Sequence, residues 1–318
     1  MIRFEQVSKQ FPSGTFAVKS LDLEIKKGEF FVLIGPSGSG KTTTLKMINR
    51  LIELSIGWVW INGKKISDYD INELRWNIGY VLQQIALFPH MTIAENIAVV
   101  PELKNWDKDK IAGRVDELLN MVGLDPIEYR NRKPSELSGG QQQRIGVIRA
   151  LAADPEIILM DEPFSALDPF SREKLQDDLL EIQRKLKKTI VFVTHDMQEA
   201  LKLGDRICLM KDGEIVQVGS PHEFLSNPVN DFVREFVGSR KFSIQLNELI
   251  TPVSAGEGFL SDTKTISLST PVDELLELLE SFEQIAVEEN GEVIGIINRQ
   301  NAVKVMSQYL RKGGQIHE

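Results

Sequence analysis

Phe30-Phe31-Val32-Leu33-Ile34-Gly35-Pro36-Ser37-Gly38-Ser39-Gly40-Lys41-Thr42 is the stretch whose reading decides the fold. Its first five residues are an unbroken apolar run, the pattern of a strand buried on both faces. The next eight residues are an undamaged G-x-x-x-x-G-K-[ST] sequence. Its glycines let backbone N–H groups turn inward onto phosphate oxygens. A helix opening at Lys41 adds the positive end of its dipole. Lys41 is then placed to reach the β- and γ-phosphates of a nucleotide, and Thr42 to put its hydroxyl on Mg2+. Leu45, Ile48 and Leu51 fall on the inward face of that helix.

Further along the chain, residues 157–160 form a second buried run that ends in Asp161-Glu162. Alone, this could be a strand running out into a solvated acidic pair. Beside a phosphate loop, Asp161 can hold Mg2+ directly or through water, and Glu162 can polarise an attacking water as a general base. Residues 189–193 are a third buried run, and residues 174–186 an amphipathic helix. Residues 91–151 read as mainly helical, and residues 2–7 and 21–25 alternate like half-buried strands. Alternating strands and helices imply an α/β domain around a largely parallel sheet. Leu137-Ser138-Gly139-Gly140-Gln141-Gln142-Gln143-Arg144 opens another helix. In isolation it is a helix cap; with the other two motifs it is a second phosphate-binding helix end.

In this order the three motifs resemble those of ABC ATPases. The resemblance covers about residues 1–238. It implies a P-loop cassette with a mostly parallel sheet core, an antiparallel β subdomain and a helical subdomain at about 84–155. It implies ATP and Mg2+ as cofactors. Carried over by position, Phe11 stacks on adenine, where a core phenylalanine is the plainer alternative. Gly35, Pro36, Ser37, Gly38, Ser39, Gly40, Lys41, Thr42 and Thr43 cradle the phosphates. Gln83 in Val81-Leu82-Gln83 approaches Mg2+ and the attacking water, with Gln84 as the neighbouring choice. Ser165-Ala166-Leu167-Asp168 matches the segment that crosses between subunits, and His195 the histidine near the γ-phosphate. Ser138, Gly139, Gly140, Gln141 and Asp168 complete the nucleotide set. The catalytic residues are Glu162, His195 and Gln83, and the metal-side residues Thr42, Gln83 and Asp161. In this family the phosphate loop of one chain faces the Ser138 segment of another, so a homodimer with two sites is expected.

Leu82-Gln83-Gln84-Ile85-Ala86-Leu87-Phe88-Pro89-His90-Met91-Thr92, Lys46-Met47-Ile48-Asn49-Arg50-Leu51-Ile52 and Gln143-Arg144-Ile145-Gly146-Val147 look most like bacterial osmoprotectant importers of the glycine betaine, carnitine or choline type. That likeness implies permease subunits as membrane partners and a solute-binding protein indirectly. Leu54-Ser55-Ile56-Gly57-Trp58 departs from the pattern in a stretch read as a turn. Trp58 and Trp60 alternate as in a strand, suited to core or edge packing.

Bulk properties fit. The 318 residues carry a net charge of −9, a poor match to nucleic-acid binding, which favours a basic face. Residues 241–318 hold 6 Lys+Arg against 12 Asp+Glu, so the acidity belongs mostly to the tail, a sign of a separate unit. The single cysteine, Cys208, fits a reducing compartment; its apolar neighbours predict a buried structural thiol. No run of apolar residues is long enough for a bilayer, and the first residues lack the pattern of a signal peptide, so membrane association is expected through partners.

Breakers and weak pattern mark residues 239–258 as a linker. Beyond it, Val272, Leu275, Leu276, Leu279 and Phe282 form an apolar helical stripe. Ile285-Ala286-Val287, a turn at Asn290-Gly291, residues 293–297 and a helix at 300–310 complete a small α+β unit. Residues 259–318 resemble a single cystathionine-β-synthase-like (CBS) motif, regulatory or dimerising. Asn298 and Asn301 stand where nucleotide-binding versions carry Thr and Asp, which removes the acid that would hold a ribose.

Overall fold

The computed structural model describes residues 1–165, 167–238, 249–252, 264–268, 270, 272–289 and 292–302. The chain divides into two compact units, Met1–Gly238 and Ser239–Glu318.

The first unit is built on a six-stranded sheet. Its parallel part comprises β3 (Phe30–Ile34), β6 (Ile78–Val81), β7 (Ile157–Asp161), β8 (Thr189–Thr194) and β9 (Arg206–Lys211). β10 (Glu214–Gly219) closes one edge antiparallel, giving the order β10-β9-β3-β8-β7-β6. Every residue of β3, β7 and β8 is buried, as unbroken apolar runs require in a sheet covered on both faces. Side chains alternate between the two faces. Phe30, Val32 and Ile34 join the core under the helices, and Phe31 and Leu33 the core under the antiparallel sheet. The helices are α1 (Lys41–Ile48), α2 (Ile71–Trp76), α3 (Ile93–Leu103), α4 (Lys108–Met121), α5 (Pro126–Tyr129), α6 (Gly139–Leu151), α7 (Pro169–Leu186), α8 (Met197–Leu203), α9 (Pro221–Ser226) and α10 (Asp231–Gly238). α3–α6 occupy the stretch expected to be helical.

The antiparallel sheet has the order β2-β1-β4-β5, from β1 (Ile2–Gln10), β2 (Phe16–Ile25), β4 (Ile56–Ile61) and β5 (Lys64–Lys65). Its first two strands exceed the expected 2–7 and 21–25. Gln6 and Ser20 take positive φ, and the β1–β2 register shifts after Phe4 and again after Val7. A bulge resets the alternation, so the sequence pattern stops while the pairing goes on. The expected turn at residues 54–58 is corrected in part: Ile56, Gly57 and Trp58 already lie in β4. A Cβ on Gly57 would stand 2.4 Å from the Gln6 carbonyl, so this glycine serves a close strand approach. Trp58 is outward and 51% exposed, with Lys65 Nζ 3.5 Å from its ring centroid. α7 starts earlier than residue 174, because Asp168 caps it and Pro169 occupies its first turn.

The second unit has a sheet of order β11-β14-β13-β12, from β11 (Thr251–Pro252), β12 (Lys264–Ser267), β13 (Gln284–Glu289) and β14 (Glu292–Asn298), with α11 (Val272–Ser281). Leu275, Leu279, Ile285, Val287 and Ile297 form its core. Phe282, expected on the stripe, is 36% exposed beyond the helix end. The Asn290-Gly291 turn, most of the linker at 239–258 and the final helix beyond Ala302 lie outside the described residues. Among the described residues no helix is long and apolar enough to cross a membrane.

Candidate functional site

β3 delivers the chain into a loop that only glycine can follow at two points. Gly35 and Gly40 have φ of +152° and +99°, and a Cβ on either would stand 2.1 Å from the Met210 carbonyl or 2.4 Å from the Ala17 carbonyl. α1 starts on Gly40, without a side-chain cap, so its first N–H groups face the loop. Lys41 is buried and curls back, donating to the Gly35 and Pro36 carbonyls at 2.8 and 2.9 Å. Burial pulls its pKa down; the charges of Glu162 and Asp161 oppose that shift. Ser39 Oγ is buried without a hydrogen-bond partner, in a loop whose neighbouring donors could share a ligand oxygen. Ser37 is exposed and Thr43 half-buried.

Parallel pairing carries the second half of the site to the same sheet edge. Asp161 ends β7 and is buried, accepting from Thr42 Oγ1 at 2.8 Å through Oδ1. Its other oxygen meets Lys46 Nζ at 3.5 Å and Tyr80 Oη at 3.4 Å. Burial and the Asp161 charge push the Tyr80 phenol well up, so it stays a donor. Thr42 Oγ1 and Asp161 together present hard oxygen atoms of the kind that would hold Mg2+. Among the described residues no group of three His, Cys, Asp or Glu could hold a metal.

Glu162 follows with φ +45°, its N–H donating to the Val193 carbonyl at 3.0 Å. This left-handed turn is costly for a side chain with a Cβ, and it sets the carboxylate beside His195. His195 Nδ1 lies 3.0 Å from Glu162 Oε2. A carboxylate only accepts, so Nδ1 carries the proton. His195 is the more open of the two, with 58% of its side chain exposed against 21% for Glu162.

The remaining predicted residues lie on other elements. Ser138 caps α6 in a reciprocal box with Gln141, at 3.3 Å to the Gln141 N–H and 2.9 Å back from Gln141 Oε1. Gln141 Nε2 also donates to Tyr129 Oη at 3.1 Å, so its side chain is already engaged. Ser138 and Gly139 are exposed, and Gly140 half-buried. Asp168 accepts from the Ser171 N–H at 3.0 Å as the α7 cap, and hydrogen bonds from Ser171 hold its carboxyl below the usual range. Ala166 beside it is outside the described residues. Gln83 and Gln84 are exposed in the segment after β6. Phe11 is 38% exposed, under Lys9 Nζ at 5.3 Å, which does not fit the core-phenylalanine alternative. Tyr80 is absent from the residues that the sequence singles out, and Lys46 enters only through the subfamily likeness of residues 46–52, with no role at the site. Neither belongs to a motif, and only the β6–β7 pairing of Tyr80 with Leu159 brings the phenol to Asp161.

The family profile for the ABC transporter matches residues 18–165. The chain is 52% identical over 305 residues to the glycine betaine/carnitine/choline transport ATP-binding protein OpuCA of Bacillus subtilis, covering 96% of this chain and 77% of that one. It is 50% identical over 312 residues to the osmoprotectant import ATP-binding protein OsmV of Salmonella typhimurium, covering 95% and 80%. Among solved structures, the dimeric post-hydrolysis ATP-binding cassette MJ0796 bound to ADP and phosphate superposes with a TM-score of 0.63 at 38% identity, over 70% of this chain and 99% of that one. The cbiO1 protein of Clostridium perfringens, part of the ABC transporter complex cbiONQ, gives 0.66 at 28%, over 76% and 95%.

Proposed function

The chain belongs to the ABC-transporter ATP-binding proteins, and from that premise we propose that it is the ATP-hydrolysing subunit of an importer for quaternary ammonium osmoprotectants of the glycine betaine, carnitine or choline type. It works as a homodimer on the cytoplasmic face of the membrane, bound to permease subunits that receive solute from a binding protein.

The observation that carries the hydrolysis is the pairing of Glu162 with His195 at 3.0 Å, one residue beyond the Asp161–Thr42 contact of 2.8 Å. Lys41 and the loop glycines bind and orient the phosphates. Thr42 and Asp161 would hold Mg2+, with Gln83 on the same side by family position, and the ion would supply neutralisation of phosphate charge. Phe11 offers its exposed ring to adenine. Glu162 accepts the proton of the attacking water, while His195 holds that carboxylate in place through Nδ1. Ser138, Gly139, Gly140, Gln141 and Asp168 make their hydrogen bonds within the caps of α6 and α7, and in this reading they serve the phosphate loop of a partner copy. Their use by a partner copy explains why the site needs two chains, and the dimeric cassette with ADP and phosphate supports that assembly. The second unit is read as a CBS-like motif, regulatory or dimerising; Asn298 and Asn301 supply no carboxylate for a ribose, which favours the dimerising role.

Glu162→Gln tests the reading. The amide still accepts from His195, so ATP binding and ATP-dependent dimerisation in sedimentation should persist while turnover falls by about 10²–10⁴-fold. Turnover near that of the unaltered chain would reject Glu162 as the base. Uptake of labelled betaine, carnitine and choline by vesicles holding the chain with its permease tests the solute class.

A further inference from the structure

Behind His195 lies a carboxylate that this hydrolysis does not use. Glu199, on α8, is buried, and its Oε2 accepts from Thr194 Oγ1 at 2.5 Å. Thr194 Oγ1 in turn accepts from the Asp196 N–H at 2.9 Å. The residues on both sides of His195 are thus tied to one buried group. Burial pushes the Glu199 carboxyl up, and the Thr194 hydrogen bond opposes that. A buried acid of this kind contributes little to stability compared with an apolar residue of its size, so its presence calls for a positional reason.

The other oxygen of Glu199 faces Arg172 of α7, with Nε at 4.0 Å. Arg172 Nη2 donates to the Leu167 carbonyl at 3.2 Å. Ser165 Oγ, in the same segment, donates to the Glu162 carbonyl at 3.0 Å. Glu162 closes the circuit on His195. A small cavity lies within it, lined by Glu162, Ser165, Arg172, Thr194, His195 and Glu199 among others. The circuit joins two stretches of chain, residues 162–172 and 194–199.

We propose that Arg172 and Glu199 are positioning residues that couple the segment around Leu167 to the Thr194–His195 turn, so that a displacement of that segment by a partner chain is transmitted to the His195–Glu162 contact. Glu199 acts through Thr194, and Arg172 acts through Glu199. The proposal rests on the hydrolytic reading of Glu162 and His195, but the linkage itself can be measured without turnover.

Hydrogen exchange on the full-length chain reads the linkage, and steady-state ATPase reads its consequence. Glu199→Ala and Thr194→Val should speed exchange of the Asp196 amide roughly tenfold, the upper end of what one lost hydrogen bond contributes. Both should lower kcat by a similar factor and leave KM within about twofold. The double variant should fall no further than the worse single one, as members of one chain of contacts do. Glu199→Gln keeps an acceptor for Thr194 and should retain Asp196 protection. Arg172→Met should speed exchange at Leu167. Lys202→Ala breaks the open Lys202–Asp177 pair, also between α7 and α8 at 2.8 Å, and should change none of these. Unchanged Asp196 exchange in Glu199→Ala, or additive losses in the double variant, would overturn the proposal. Should Glu199→Ala fail to fold, Thr194→Val and Arg172→Met decide by the same exchange readouts. If the unaltered chain hydrolyses no ATP, the functional reading fails, while the exchange data still decide the coupling.

Discussion

Replacing Gly40 by alanine should destabilise the nucleotide-free chain more than replacing Gly38, although both glycines belong to the same loop. Both have positive φ, +99° and +80°. An alanine there carries a backbone cost of about 1–2 kcal/mol in either case. The surroundings differ. A Cβ on Gly38 meets nothing within 4 Å, whereas one on Gly40 meets the Ala17 carbonyl at 2.4 Å and Val18 Cγ2 at 3.2 Å. Ala17 sits in β2, which pairs along β1, and the Gly40 carbonyl accepts the first bond of α1 from Thr44 at 2.8 Å. Neither side can yield without moving a strand or a helix. Overpacking of that kind adds about 1–3 kcal/mol. In a unit of this size, where each kcal/mol moves Tm by roughly 2–4 °C, Gly40→Ala should melt about 2–12 °C below Gly38→Ala. Urea unfolding without nucleotide, followed by circular dichroism, gives the same comparison at constant temperature. A Gly40→Ala variant as stable as Gly38→Ala would refute the close-approach argument and leave only the dihedral.

Two other outcomes are specific. Phe11→Ala should weaken ATP binding by roughly 1–3 kcal/mol, the scale of a base stacking on an aromatic ring, with little change in Tm because the ring is already 38% exposed; equal affinity in equilibrium nucleotide binding would remove its adenine role. Burial pushes the Cys208 thiol up to about 12. An unfolded chain releases that proton above about pH 8.5, so the stability it contributes is intact below that pH and is lost at up to about 1.4 kcal/mol per unit as pH rises toward the folded value. Urea unfolding at pH 8 and pH 10 should therefore show a steeper loss for the unaltered chain than for Cys208→Ala, and a thiol reagent should leave the folded chain unmodified at pH 8.

The parts of the site that lie within one stretch of chain are legible in the order of residues alone. Residues 30–42 specify strand, turn and helix by local rules: an apolar run too long to be half-exposed, glycines where the backbone must turn tightly, and a lysine and threonine at a helix start. The strand end at Asp161, and His195 just past the end of β8, are legible for the same reason. Three features are not. The extent of β1, β2 and β4 is hidden because the Gln6 bulge and the Gly57 approach break the alternation that marks a strand. The exposure of Phe11 depends on how its turn sits on the sheet. The grouping of Thr42, Lys46, Tyr80 and Asp161, and of Arg172, Thr194 and Glu199, depends on parallel pairing, which sets residues such as Thr42 and Asp161, 119 positions apart, within 2.8 Å. The sequence by itself determined the strand–loop–helix that a phosphate-binding loop requires, because backbone N–H geometry is a local property. Only the tertiary structure decided which side chains hold Asp161 and His195 in place, because those contacts exist only once β3, β6, β7 and β8 have taken their order in the sheet.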